Sequence, residues 1–302
     1  MGTEPVDGPA ELAAGDFTAV LFGAPHGTPY PGVDNEPHAA TAQALRDALG
    51  FEADWVEHWS YDVGGTIAGP HGRRFGDLGD LPTTSLDGAG NRALIEEATR
   101  AIVAARAIPI MIGGDDSTPI PFLAGLADAG PLTILQIDAH IDWRDQRRGE
   151  PLGFSSTMRR ASEMPHVERI VQVGMRTFGS ARAEEVGIAA DWGATIVPAR
   201  DVHHRGIGPV LDLIPAGSRV AITIDCDAFD ASLMPAVIAP SPGGLDYTQV
   251  TDLIGGVLAK AELAAFDLIE FAPAKDVDGS STLTAAYLLQ FVLVSLANAQ
   301  PR

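Results

Sequence analysis

Two short apolar runs, each ending abruptly in carboxylates, constrain this chain more than any other feature. Pro131-Leu-Thr-Ile-Leu-Gln-Ile137 has strand length and leads straight into Asp138-Ala139-His140-Ile141-Asp142. Val220-Ala-Ile-Thr-Ile224 leads into Asp225-Cys226-Asp227-Ala228-Phe229-Asp230. A strand that is apolar along most of its length is buried on both faces, the pattern of a parallel sheet under helices. In extended chain the side chains alternate with period two, so Asp138, His140 and Asp142 point roughly one way, as do Asp225 and Asp227. One acidic turn after a strand is ordinary, because Asp bonds its own backbone there. Two of them, one carrying a histidine, form a candidate metal claw. Carboxylates this close repel, and a cation resolves the repulsion.

The rest of the chain fits the same architecture. Strands are predicted at 17–22, 51–56, 108–112, 131–137, 169–173, 194–197, 219–224 and 263–269. Helices are predicted at 37–49, 91–106, 118–129, 156–163, 180–190, 208–214, 246–260 and 281–298. Alternation of this kind gives an α/β fold, a three-layer α/β/α sandwich around a mostly parallel sheet. Ligands in such sheets bind outside the carboxyl ends of the strands, where both acidic motifs and Glu270 fall. Residues 1–15, small, acidic and rich in Pro and Gly, read as a flexible N-terminal arm, leaving 16–302 as one domain. Residues 59–87 read as a long excursion with a role at the site or at a subunit contact.

Composition narrows the partners. The 302 residues suit one large domain or at most two smaller ones. A net charge of −20 makes nucleic acid and anionic membranes poor partners and would attract a small cationic substrate. Cys226 is the sole cysteine, so no internal disulfide forms and a reducing compartment is compatible. The N-terminus has no basic and no apolar leader region, and no stretch reads as a membrane span of ~20 apolar residues. A cytoplasmic protein is expected.

The motifs Asp138-Ala-His-Ile-Asp142 and Asp225-Cys-Asp-Ala-Phe-Asp230, with Gly113-Gly-Asp-Asp-Ser117 upstream, resemble the three signatures of the ureohydrolases. This is the arginase and agmatinase family, and the agmatinase-like branch fits better. The resemblance runs from about Gly23 to about Leu289. It implies an arginase-like fold, two divalent ions, Mn2+ by default with Ni2+ an alternative, and hydrolysis of a guanidino compound to urea and an amine. Asp138 and Asp225 would bridge the ions. Asp142 would complete one ion, and His140 with Asp227 the other. Asp116 stands where the family has a histidine ligand; its carboxylate oxygen has similar reach, so it would substitute as a sixth ligand, or else one metal site is weakened. Asp142 and Glu270 would be the catalytic carboxylates, Glu270 also gripping the guanidinium. Ser155 and Ser156 replace a stretch where many relatives have a proton-relaying histidine, and would position substrate. His26, in a Gly/Pro loop, is the candidate to replace that relay, and Asp115 would orient a ligand. The family forms homotrimers or homohexamers. A non-catalytic subunit supporting an active paralogue, and a protein that binds guanidino compounds without hydrolysing them, are the competing readings.

Overall fold

In the computed structural model, which describes residues 2–50, 56–179 and 181–300, the alternation resolves into one sheet. Its strands are β1 (Glu4–Pro5), β2 (Ala19–Ala24), β3 (Phe75–Asp80), β4 (Ile108–Gly113), β5 (Leu132–Ile137), β6 (Val167–Met175), β7 (Thr195–Pro198), β8 (Arg219–Asp225) and β9 (Glu262–Ile269). The spatial order is β1-β3-β2-β4-β9-β8-β5-β6-β7, and every pairing is parallel. Two buried cores sit on opposite faces. Helices α2 (Thr41–Gly50), α7 (Ala199–Arg205), α8 (Gly208–Leu211), α9 (Tyr247–Lys260) and α10 (Ser280–Asn298) pack one face. The other carries α1 (Pro9–Ala14), α3 (Gly88–Ala104), α4 (Pro119–Ala124), α5 (Thr157–Ala161) and α6 (Ala183–Trp192). This is the expected three-layer sandwich. Alternate residues of β5, such as Ile134 and Leu135, belong to opposite cores, which is why that strand is apolar throughout.

The differences from expectation have local causes. Residues 1–15 carry β1, paired with β3, and α1, whose Leu12 is buried, where the sequence reading gave only an arm. β3 lies inside the expected excursion at 59–87. Its sequence, Phe-Gly-Asp-Leu-Gly-Asp, is built largely from residues depleted in strands, and pairing on both sides supplies what propensity lacks. α7 escaped notice because it buries only Ala199 and Val202. Most of the strand expected at 51–56 lies outside the described residues. The α10 helix is long and apolar enough, by length and composition, to cross a membrane, contrary to the reading that no such stretch exists. Here it is a core helix that packs on α2 and α9.

The order of strands positions the site. Consecutive β4 and β5 lie on either side of β9 and β8, so the chain reverses its winding across β4-β9-β8-β5. That crevice is where an open parallel sheet binds ligands. The four strands deliver, at their carboxyl ends, Asp115 and Asp116, Glu270, Asp225 and Asp227, and Asp138 through Asp142.

Candidate active site

One cavity of about 370 Å³ opens over these strand ends, lined by Asp115, Asp116, His140, Asp142, Asp225, Asp227, Ser155 and Glu270 among others. Donor atoms of Asp138, His140 and Asp227 lie within 4.8 Å of one another, and so do those of Asp116, Asp138 and Asp142. The two triads share Asp138. Asp225 belongs to neither triad; its Oδ1 accepts the Asp227 amide at 2.6 Å, shaping the short turn that carries Asp227.

The carboxylates of the cluster are buried and crowd one another. Burial, and then the charges of Asp142, Asp138 and Glu270, raise Asp116 well above the usual carboxylate range. Burial likewise raises Asp142 and Asp225, with neighbouring carboxylates adding to it. Burial works the other way on His140, but hydrogen bonds to Asp138 and Asp227 outweigh it and push the imidazole up to about 12. The His140 Nδ1 sits 3.1 Å from Asp227 Oδ2. Asp116 Oδ2 is buried with no hydrogen-bond partner among the described residues. A set of oxygen donors with one imidazole, crowded and under-neutralised, fits a divalent cation. A cation there would offset the mutual repulsion of these carboxylates.

The scaffold around the cluster is specific. Gln136, two residues before Asp138 on the same face of β5, donates to Asp138 Oδ2 at 2.6 Å and Asp142 Oδ2 at 2.8 Å. The Gln136 side chain in turn accepts from Gln172 Nε2, and Gln172 Oε1 accepts from the buried Trp143 at 2.8 Å. Asp142 and Glu270 both adopt left-handed backbone, with φ of 51° and 62°. Non-glycine residues there are uncommon, and such strain persists where surrounding structure enforces it. Gly174 lies beside Asp138 with φ 106°, and a Cβ there would sit 2.6 Å from the Asp138 carbonyl oxygen. The Arg176 guanidinium donates to the carbonyls of Asp227, Phe229 and Ser241, at 2.6, 3.0 and 2.9 Å, fixing the Asp227 turn against the following loop. Asp230 ties the same loop, accepting from the amides of Gly243 and Gly244 at 2.6 and 3.1 Å.

Glu270 faces the cavity. Its Oε1 accepts the Asp116 amide at 2.8 Å, and its Oε2 lies 3.3 Å from His38 Nε2. His38 Nδ1 is 3.1 Å from the Phe271 carbonyl, so that nitrogen carries a proton and Nε2 faces the carboxylate. Burial raises Glu270, opposed by His38 and assisted by Asp115, to about 7.

Other expected roles land differently. His26 is not in the cavity wall; it lies 3.2 Å from the Thr83 hydroxyl and 3.5 Å from Glu36. His38, which sequence reasoning left unassigned, is the histidine that reaches the site. Ser155 lines the cavity, whereas Ser156 is buried behind it, its hydroxyl unpartnered among the described residues. Asp115 Oδ1 accepts from the amide and hydroxyl of Ser117, so it organises its own turn. Cys226 is fully buried in the core, as its position between two outward-facing acids predicts. Gln136 was legible, being a polar residue inside an apolar strand on the face of Asp138. His38 and Arg176 had no local signal, because their partners, Glu270 and the Asp227 turn, lie far along the chain.

A family model described as the arginase family matches residues 17–294. The chain belongs to the arginase family. Among its relatives is the N(1)-aminopropylagmatine ureohydrolase of Thermus thermophilus, 34% identical over 185 residues, which are 61% of this chain and 61% of the relative. The chain thus spans 61% of the length of that relative. The guanidinobutyrase of Pseudomonas aeruginosa is 28% identical over 73% of this chain and 70% of its own. The crystal structure of the agmatine ureohydrolase of Thermoplasma volcanium superposes with a TM-score of 0.78 and 26% identity, covering 96% of this chain and 92% of that one. The three motifs that suggested this family therefore suggested it correctly.

Proposed function

We propose that this arginase-family chain is a metal-dependent amidinohydrolase that cleaves a guanidino C–N bond to urea and an amine. The observation that carries the reading is the pair of candidate metal triads that share the buried Asp138 and whose other members, Asp116, His140, Asp142 and Asp227, line a cavity that also holds Glu270. Asp116, Asp138, His140, Asp142, Asp225 and Asp227 would hold two divalent ions. Mn2+ is the first choice of ion and Ni2+ the second. Such ions, when bound, supply the field that lowers the pKa of a water enough for attack near neutral pH.

The chain's own residues do the remaining work. Glu270 accepts N–H groups of the guanidinium, and a proton shared between its Oε2 and His38 Nε2, 3.3 Å apart, holds the carboxylate in place. A cationic guanidinium arriving there stabilises the ionised form of Glu270. The Ser155 hydroxyl lies in the cavity wall to position the substrate. Asp142, whose Oδ2 accepts from Gln136 and keeps a lone pair for an ion, takes on Oδ1 the proton lost by the attacking water and passes it to the departing amine nitrogen. We further propose a cytoplasmic homotrimer or homohexamer.

The test is metal analysis of the purified chain, then urea release from a panel of guanidines after adding back each ion. About two ions per chain, with urea formed from at least one guanidine, is the expected result. A chain that binds guanidines without forming urea would be a binding protein. A chain with less than one ion and activity only beside a paralogue would be a supporting subunit.

A further inference from the structure

At the mouth of the cavity the sign of the charge reverses. The floor is carboxylate, but Arg147 also lines the wall, and it is the one Lys or Arg among the described lining residues. Its placement is built. The Arg147 and Glu150 backbones exchange two hydrogen bonds of 3.0 Å. The neighbouring Arg148 donates to the Pro31 carbonyl at 2.6 Å, pinning the hairpin to the loop opposite. The Arg147 guanidinium carbon lies 5.4 Å from the centre of the Tyr30 ring and 5.7 Å from that of Phe154. Tyr30 is itself buried and accepts the Ser155 amide on its hydroxyl at 3.2 Å. Gly153 leaves room for that ring, since a Cβ there would run into it.

This guanidinium makes no ion pair within 4.0 Å of any described carboxylate. Glu150, its hairpin partner, spends Oε1 on the Leu152 amide. In a chain with 40 acidic and 20 basic residues, an arginine held against two rings and left without a carboxylate has somewhere else to point its donors. Its planar fork matches a carboxylate bidentately. The same cavity also offers apolar surface, from Val33, Phe154, Ile238 and Ala239.

We propose that Arg147 is the tail-recognition residue of the site and that the substrate is an ω-guanidino acid: a guanidinium, a short methylene stem and a terminal carboxylate. The inference rests on the hydrolase reading above and adds the class of the tail. The guanidinium meets Glu270, the stem lies along Phe154 and Ile238, and the carboxylate closes on Arg147. Asp34 lines the same mouth, so a cationic tail is the competitor, but its Oδ1 already accepts the Glu36 amide at 3.0 Å.

Steady-state urea release by the metal-loaded chain separates these occupants, using 3-guanidinopropionate, 4-guanidinobutyrate, agmatine and n-butylguanidine. The last has a stem and no charged tail. The ratio of KM between butylguanidine and the better guanidino acid is the readout. It is expected to favour the acid roughly 10- to 100-fold, the worth of a charged hydrogen-bonded pair, and to collapse in Arg147→Met with partial recovery in Arg147→Lys. A ratio near one in the wild type, or a preference for agmatine that Arg147→Met leaves alone, overturns the proposal while the hydrolase stands. If no guanidine yields urea, calorimetric binding of 4-guanidinobutyrate decides separately. Affinity that Arg147→Met removes keeps the subsite and discards the hydrolase; no affinity in the wild type discards the subsite as well.

Discussion

Asp267→Asn should make the protein more stable, and by an amount that grows with pH. Asp267 sits in the middle of β9, between β4 and β8, and is 1% exposed. Its Oδ1 accepts the Thr223 hydroxyl at 2.7 Å, while Oδ2 is buried without a partner among the described residues. Burial raises this carboxyl to about 8, against the smaller downward pull of Thr223 and the Ile224 amide. The unfolded chain releases the same proton near ~3.9. Between those values the folded state holds more protons than the unfolded state, so stability falls as pH rises, by about 1.4 kcal/mol per unit for this one group. The penalty is absent below the unfolded pKa and complete above the folded one, about 6 kcal/mol at most. Asparagine keeps the shape and the acceptor for Thr223 and does not titrate. Urea unfolding of both proteins at pH 5, 6, 7 and 8, with divalent ion in excess, isolates the group, because contributions from the metal cluster are common to both and cancel. The variant's advantage should widen by about 4 kcal/mol over those three units. Parallel stability curves, or an advantage that shrinks with pH, would refute a neutral, buried Asp267.

Three further outcomes test the site. Asp227→Ala should abolish urea release and lower metal content while the melting temperature of the metal-free protein falls little; unchanged turnover counts against the proposed ligand set. Asp116→His should keep or raise the number of ions per chain and Asp116→Ala should lower it, and equal content in all three proteins removes Asp116 from the coordination shell. His38→Ala takes away the group 3.3 Å behind Glu270 and should raise KM for a turned-over guanidine about tenfold, the lower range for a charged hydrogen bond. The His38→Gln variant should recover part of that loss, and KM unmoved in both would end the positioning role.

How much of this was legible depended on whether a residue's partners were near in sequence. The apolar runs ending in acid were readable because strand, turn and motif are contiguous, so β5 and β8 and the carboxylates after them emerged together. Glu270 was readable as a strand-end carboxylate once the family resemblance gave it a purpose. β3 was not, because its stability comes from pairing on both sides and its own residues argue against a strand. Nor was the exchange of His26 for His38. His26 lies in the Gly/Pro loop and His38 at the start of the helix expected at 37–49, in the structure the end of a short 3-10 turn, Glu36–His38; which of them reaches Glu270 is a long-range property. Arg147 carried no motif, and its meaning came only with the two rings behind it and the cavity in front.

One long-range feature was nonetheless written in the strands. Gln172, Gln136, Thr223 and Asp267 stand in register across β6, β5, β8 and β9, and all four are buried. Their neighbours along each strand, among them Leu135, Ile137, Ile222, Ile224, Phe266 and Leu268, join the opposite core, so the four polar side chains share one face. Each interrupts an apolar run, and two of them stand two residues before an acid of the site: Gln136 before Asp138 and Thr223 before Asp225. Burying such a row is costly unless its members bond one another. They do so in part, through Gln172 to Gln136 and Thr223 to Asp267, and Gln136 passes the network on to Asp138 and Asp142. The row therefore forms a polar layer beneath the acidic floor and fixes the orientation of carboxylates that would otherwise turn away from one another. A cluster that must present several like charges to one point needs such a layer, and a polar residue two positions before a strand-end acid is its trace in sequence.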